Sequence, residues 1–287
     1  MCSHYPGVFL MNFLLPIVLI GYAICVAQAI FALSTKRAVL VRTAYIALGI
    51  AFAAHTVWLF QRGIATNRCP LVGTRETSVF LSWCLVVAYL IAQRWYRAGA
   101  LKAFIFPLIF LLSVIAAIAP NTPDSPEGIG QPLQRFLLPV HAGLIMLAYA
   151  AFFISFGAGV MYIIQERELK HKRFGTVFYR LPSLDTCDSI SFKSMAIGLA
   201  LLTLGVAAGM AWSRARDGVF WHNYPIEIFS VFTLIIYLII IQSRRSAGWG
   251  GRNAALASII GFVLIIASLA GLRYLDTLHV IGLTLAR

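Results

Sequence analysis

Three of the six histidines in this chain, His55, His141 and His279, fall in or beside the ends of long apolar runs. Neutral imidazole is a common ligand for iron, and haem iron accepts one or two such axial ligands. An ionisable side chain at membrane depth is costly without a partner, so each placement asks for one. Taken singly, each histidine reads as a hydrogen-bonded or interfacial residue. Taken together, they are brought towards one leaflet by three different runs, and no histidine lies at mid-bilayer. A ligand role therefore stands beside the structural one.

A second candidate group is the connection Gly218-Val-Phe-Trp-His-Asn-Tyr-Pro-Ile-Glu227. Phe220, Trp221 and Tyr224 have a simple account as an interfacial aromatic belt. They also make a platform on which a flat macrocycle stacks, with His222 beside it. The acidic residues form no convincing catalytic pair. Glu76 and Glu227 sit at the starts of apolar runs, where a helix dipole favours a carboxylate. No Ser/His/Asp order, P-loop or dinucleotide glycine pattern occurs in a supporting context.

The elements that must position these groups are eight apolar runs, at approximately 8–33, 41–60, 78–96, 101–119, 136–164, 193–212, 226–242 and 253–272. Each is near the roughly 20 residues that a helix needs to cross a hydrocarbon core. The chain is 60% hydrophobic with mean hydropathy +0.85, which excludes a soluble enzyme. The expected fold is all-α: a polytopic membrane protein of about eight transmembrane helices, with 1–287 forming a single membrane domain. Segment 1–7 lacks the basic stretch of a cleavable signal, so the first run reads as a retained helix. His55 then lies about five residues from the outer end of the second run, roughly 7–8 Å below the surface. His141 starts the fifth run at a similar depth, and His279 follows the eighth.

The formal charge of +13 comes from small basic clusters between apolar runs, so it points to membrane loops and no nucleic acid. With the N-terminus outside, one side holds Lys36, Arg37, Arg42, Arg94, Arg97, Lys102, Arg167, Lys170, Lys172, Arg173, Arg180, Lys193, Arg244, Arg245 and Arg252. The other holds only Arg62, Arg68, Arg75, Arg135, Arg214, Arg216, Arg273 and Arg287. The positive-inside rule therefore puts both termini on the outer side. All the outer cations are Arg, whose planar fork matches carboxylates such as haem propionates; the plainer account is that Arg outnumbers Lys here.

The five cysteines form no C-x-x-C pair, so neither a disulfide framework nor a zinc site is supported. The cluster Asn121-Thr-Pro-Asp-Ser-Pro-Glu-Gly128 reads as a turn between the fourth and fifth runs. The charged stretch 165–192, interrupted by Pro182, has room for a short surface helix.

Several segments resemble the CcsA/ResC-type cytochrome c assembly proteins and the related HemX-like membrane proteins. Cys69-Pro-Leu-Val-Gly-Thr-Arg-Glu-Thr-Ser-Val-Phe-Leu-Ser-Trp83 is similar to that family's outer loop and the helix start after it. His141-Ala-Gly-Leu-Ile-Met-Leu-Ala-Tyr-Ala-Ala-Phe152 resembles its histidine-bearing fifth span. Tyr162-Ile-Ile-Gln-Glu-Arg-Glu-Leu-Lys-His-Lys-Arg173 and Arg180-Leu-Pro-Ser-Leu-Asp185 resemble its cytoplasmic loop. Leu202-Thr-Leu-Gly205 with Gly209 and Trp212, Gly248-Trp249 with Gly261-Phe262, and Leu278-His279 resemble its last segments.

The resemblance implies haem handling at the outer face of a bacterial inner (cytoplasmic) membrane in cytochrome c biogenesis. His141 and His279 correspond to the family's outer pair of haem-iron ligands, and 218–227 to its W-G-x-x-W-x-W-D-P-K-E loop. Trp221, Pro225 and Glu227 match that loop, whereas Asn223, Tyr224 and Ile226 depart from it. Gln242 stands where a membrane histidine is often found, and His55 is closer to the HemX-like branch. The implied cofactor is haem, held by His141, His279, Trp221, His55 and His222. The implied partners are membrane lipid, a ResB/CcsB-like membrane protein and apocytochrome c. In enzymatic terms the chain is at most part of a cytochrome c synthetase (haem lyase) complex. The degenerate tryptophan loop keeps a different class open, a HemX-like regulator or accessory subunit that acts through protein partners.

Overall fold

The computed structural model describes residues 6–34, 38–66, 69–71, 73–96, 98–120, 132–172, 175, 178–246, 248 and 250–267. These form α1 (Pro6–Ser34), α2 (Ala38–Thr66), α3 (Gly73–Tyr96), α4 (Lys102–Ile118), α5 (Pro132–Lys170), α6 (Leu184–Asp217) and α7 (Pro225–Ser246). An eighth helix, α8, covers Arg252–Ala267. No strand occurs among the described residues. The first seven helices are long and apolar enough to cross a membrane, and α8 is a shorter apolar helix. Every apolar run expected from the sequence is helical over its described residues.

The stretch 165–192 differs from expectation. Its charged residues do not form a separate surface helix among the described residues; they extend α5 to Lys170 and begin α6 at Leu184. A Lys170–Glu166 pair one turn apart, with Nζ to Oε1 at 2.7 Å, supports the extension of α5. Ser183 caps α6 by accepting from the Thr186 amide, and Asp185 adds a carboxylate to the first turn. Gly218 ends α6 in the left-handed region at φ 75°, where a Cβ would be strained.

Large apolar side chains such as Ile20, Ile50, Phe60 and Ile239 are exposed along the helices. On a soluble protein so much open apolar surface would be a liability, but against lipid tails it costs nothing. The driving force between helices must then come from close packing. The most extensive contact is between α5 and α6, which run antiparallel. Three α6 glycines receive α5 side chains in one register. A Cβ on Gly198 would stand 2.6 Å from the Phe152 ring, one on Gly205 2.7 Å from Ile145, and one on Gly209 2.6 Å from His141 Nδ1. Small residues let backbones approach in membranes, and the stripe 198, 205, 209 does so along α6.

The other helices build outward from this pair. Tyr237 of α7 stacks on Phe152 at 3.8 Å between centroids. Phe262 of α8 meets Phe153 and Phe156, each at 5.1 Å. On the opposite flank, α1 packs on α2 and α4, with Gly21 against Ala51, and α3 bridges α4 to α5.

Gly198→Ala should destabilise the protein by about 1–3 kcal/mol, because Phe152 is fully buried and cannot yield. Gly143→Ala, where a Cβ meets nothing within 4 Å, should be neutral or slightly stabilising. Thermal unfolding of the two variants in the same detergent measures the difference.

Candidate functional site

At the Gly218 end of α6, a cavity of about 250 Å³ lies between the first turns of α5, the last turns of α6 and the start of α7. Its walls include His141, Gly209, Trp212, Arg216, Phe220, Trp221, His222, Tyr224 and Glu227. The positions 209, 212, 213 and 216 fall on one face of α6 by helical spacing, so the helix itself supplies one wall.

The glycine stripe fixes His141. With no Cβ at Gly209, the imidazole lies against the α6 backbone and donates from Nδ1 to the Gly205 carbonyl at 2.7 Å. A carbonyl only accepts, so the proton is on Nδ1 and Nε2 carries the lone pair. No described residue bonds Nε2. An imidazole whose other nitrogen donates to a backbone carbonyl is held in the tautomer and orientation suited to a metal ligand.

The loop 218–224 is held by Glu227. Pro225 opens α7, and the Glu227 carboxylate, in the first turn, reaches back to the amides of Tyr224 at 3.3 Å and His222 at 2.9 Å. This is the reaching-back half of a capping box. His222 is tied at both nitrogens: Nδ1 lies 3.0 Å from Ser213 Oγ, and Nε2 lies 3.2 Å from Asp217 Oδ2. Its ring stacks on Tyr224, with centroids 5.2 Å apart. Trp221 donates its indole N–H to Asn223 Oδ1 at 2.6 Å and lines the cavity. Asn223 holds a left-handed φ of 61°.

Arg216 is the one described cation that lines the cavity. Its guanidinium lies 4.3 Å from the Trp212 ring and pairs with Asp217. The arginines Arg62 and Arg75, expected on the same side, have other work. Arg62 pairs with buried Glu76 at 2.8 Å, and Arg75 donates to the Ala117 and Ala119 carbonyls at the end of α4.

The structure thus brings His141, Trp221 and His222 to one cavity and places His55 elsewhere. His55 is 2% exposed between α1, α2 and α3. Its Nδ1 lies 2.9 Å from the Tyr22 hydroxyl and its Nε2 3.0 Å from the Val79 carbonyl. The carbonyl requires Nε2–H as donor, which leaves Nδ1 to accept from Tyr22. Both nitrogens are satisfied, so His55 ties three helices together and offers no free lone pair. His279 lies outside the described residues. Gln242 is exposed near the other end of α7, about four turns from Glu227. Cys69, outside the helices, is free; burial and the nearby Glu76 carboxylate push its thiol up, away from a reactive thiolate.

Sequence reasoning counted Arg216 among the outer cations and did not single it out. Its signal was the spacing from Gly209 and Trp212. The donor set fits one axial ligand to iron from the described residues, a charge for an anionic substituent, and an aromatic wall.

Residues 71–279 match the family described as cytochrome C assembly protein. The chain is 26% identical over 248 residues to "Cytochrome c biogenesis protein CcsA" of Prochlorococcus marinus (strain MIT 9301), covering 79% of this chain and 80% of that protein. It is 25% identical over 272 residues to the protein of that name from Synechococcus sp. (strain CC9605), covering 87% and 88%. Against that of Guillardia theta the identity is 24% over 250 residues, covering 81% and 83%. Among solved structures it is similar to "Cytochrome c Heme Lyase CcmF", with TM-score 0.63 and 16% identity. That match covers 96% of this chain, which spans half (50%) of the lyase chain, and it speaks to the fold alone.

His55→Leu should lower stability by about 1–3 kcal/mol, because the Tyr22 hydroxyl loses its buried acceptor. It should leave the cavity intact. Thermal unfolding gives the first effect, and unchanged quenching of the tryptophans by an added aqueous quencher checks the second.

Proposed function

The chain belongs to the cytochrome C assembly protein family, and from that premise we propose that it handles haem in cytochrome c maturation. In this reading it binds haem at the outer face of a bacterial cytoplasmic membrane and presents it for attachment to apocytochrome c. The observation that carries the reading is His141, with Nδ1 held by Gly205 and Nε2 free beside an aromatic-walled cavity.

Haem is the cargo here and supplies the iron and the groups to which apocytochrome thiols add. The chain's own residues do the holding. His141 Nε2 offers one axial imidazole, and His279, outside the described residues, is assigned the other. Two imidazole ligands would keep a bound iron from reacting at its axial positions. Phe220, Trp221 and Tyr224 line the cavity with aromatic surface, and Arg216 turns from Asp217 to a carboxylate of the cargo. Glu227 and Ser213 fix the loop through His222, which is therefore a positioning residue. Holding both reactants in one geometry is the contribution that such a site makes. Apocytochrome c, and a ResB/CcsB-like membrane partner that delivers it, meet the chain at this end.

One observation favours a second reading. A cavity of about 250 Å³ falls below the ~300–1,000 Å³ of pockets that enclose a small molecule. A HemX-like accessory subunit that acts through protein partners needs no more than the exposed loop.

Detergent-purified protein, isolated with its partners and then alone, should show a haem absorbance band. His141→Ala should lose most of that band, and His55→Leu should keep it per folded molecule. Gly209→Ala, which drives a Cβ to 2.6 Å from Nδ1, should weaken haem affinity about 10–100-fold, the usual cost of removing an orienting partner. Unchanged haem content in His141→Ala sinks the site, and no haem in either wild-type preparation supports the accessory reading.

A further inference from the structure

At the end of the bundle opposite the cavity, α3 and α6 leave a lateral furrow. Its apolar part is lined by Val87, Ile91, Leu147, Ile154 and Leu201, with a volume of about 90 Å³. At Trp95, Tyr96 and Ile197 it runs into a wider concavity that adds Arg94, Phe192 and Lys193. Val87 to Trp95 is eight positions along α3, roughly 12 Å at the helical rise. The furrow faces outward, since Ile91, Trp95 and Ile197 are all exposed.

Its two parts differ in chemistry. The concavity holds two cations and no carboxylate among its lining residues. Lys193 Nζ lies 5.6 Å above the Tyr96 ring, and Arg94 is exposed in the last turn of α3. Asp188, one turn before Phe192 on α6, is already paired with Arg244, whose guanidinium covers Phe192 at 4.6 Å. Among the described residues no carboxylate pairs with Arg94 or Lys193. Trp95 and Tyr96 stand at the junction, where amphipathic rings mark the headgroup level.

We propose that this furrow is a binding site for an anionic phospholipid. Its phosphate sits between Arg94 and Lys193, and the first half of one acyl chain lies along α3 past Ile91 and Val87. Basic pockets between transmembrane helices hold anionic headgroups in this way. The apolar part, at about 90 Å³, is too small for a porphyrin and has no cation for free phosphate, whereas its aliphatic lining suits a hydrocarbon chain. The bound lipid fills the gap that α3, α5 and α6 leave at this end, and so stiffens the helix pair that carries the cavity at the other.

Native mass spectrometry of delipidated full-length protein tests the site, with dioleoyl phosphatidylglycerol and dioleoyl phosphatidylcholine as probes. Wild type should retain one phosphatidylglycerol in preference to phosphatidylcholine. Arg94→Gln and Lys193→Gln should each weaken that binding about fivefold, the effect of one cation at a lipid surface. Ile197→Trp, which blocks the furrow and leaves both charges, should weaken it too, and guards against loss of fold in the charge variants. Displacement by inorganic phosphate, equal binding of the two lipids, or retention by Arg94→Gln/Lys193→Gln overturns the proposal.

Discussion

The close antiparallel contact of α5 with α6 is the constraint on which the rest depends. In a bilayer, apolar side chains gain little by leaving lipid for one another, so helices need shape to associate. Gly198, Gly205 and Gly209 supply it by admitting Phe152, Ile145 and His141 to the α6 backbone. One stripe thus does two things. Its first position stabilises the bundle, and its last lets His141 lie so that Nδ1 meets the Gly205 carbonyl. Fold and site share a cause, and a change at Gly209 is felt as chemistry where a change at Gly198 is felt as stability.

The remaining elements divide the polar work by end and flank. On the α1–α4 flank, His55, Arg62 and Arg75 satisfy buried partners and tie helix ends together. At the start of α7, Glu227 collects two loop amides while His222 takes Ser213 and Asp217. The loop is thereby ordered without consuming His141. Arg216 is paired with Asp217, an exchangeable surface ion pair that costs little to open for a stronger anion.

The sequence carried most of the fold, because apolar length alone specifies membrane helices and every apolar run proved helical over its described residues. The pairing of His141 with the tryptophan loop came from the family resemblance, since spacing along the chain left them as two separate candidates. What the sequence did not carry was which imidazoles were already spoken for. Tyr22 and Val79 reach His55 from other helices, and no spacing rule links positions 22, 55 and 79. Ser213 and Asp217 engage His222 only because Gly218 turns the chain back over α6. The charged residues after Ile164 looked like loop because their polarity breaks the apolar run, yet i,i+4 pairing keeps them helical.

The central claim is that α6 holds His141 as the Nδ1-protonated imidazole with a free Nε2. Nitrogen-15 magnetic resonance of protein labelled in histidine, with His141→Gln to assign the signal, reads that directly. Without haem, His141 should show a protonated Nδ1 and an unprotonated Nε2, with only the Nε2 signal strongly displaced when haem is added. A proton on Nε2, or a spectrum indifferent to haem, would contradict it.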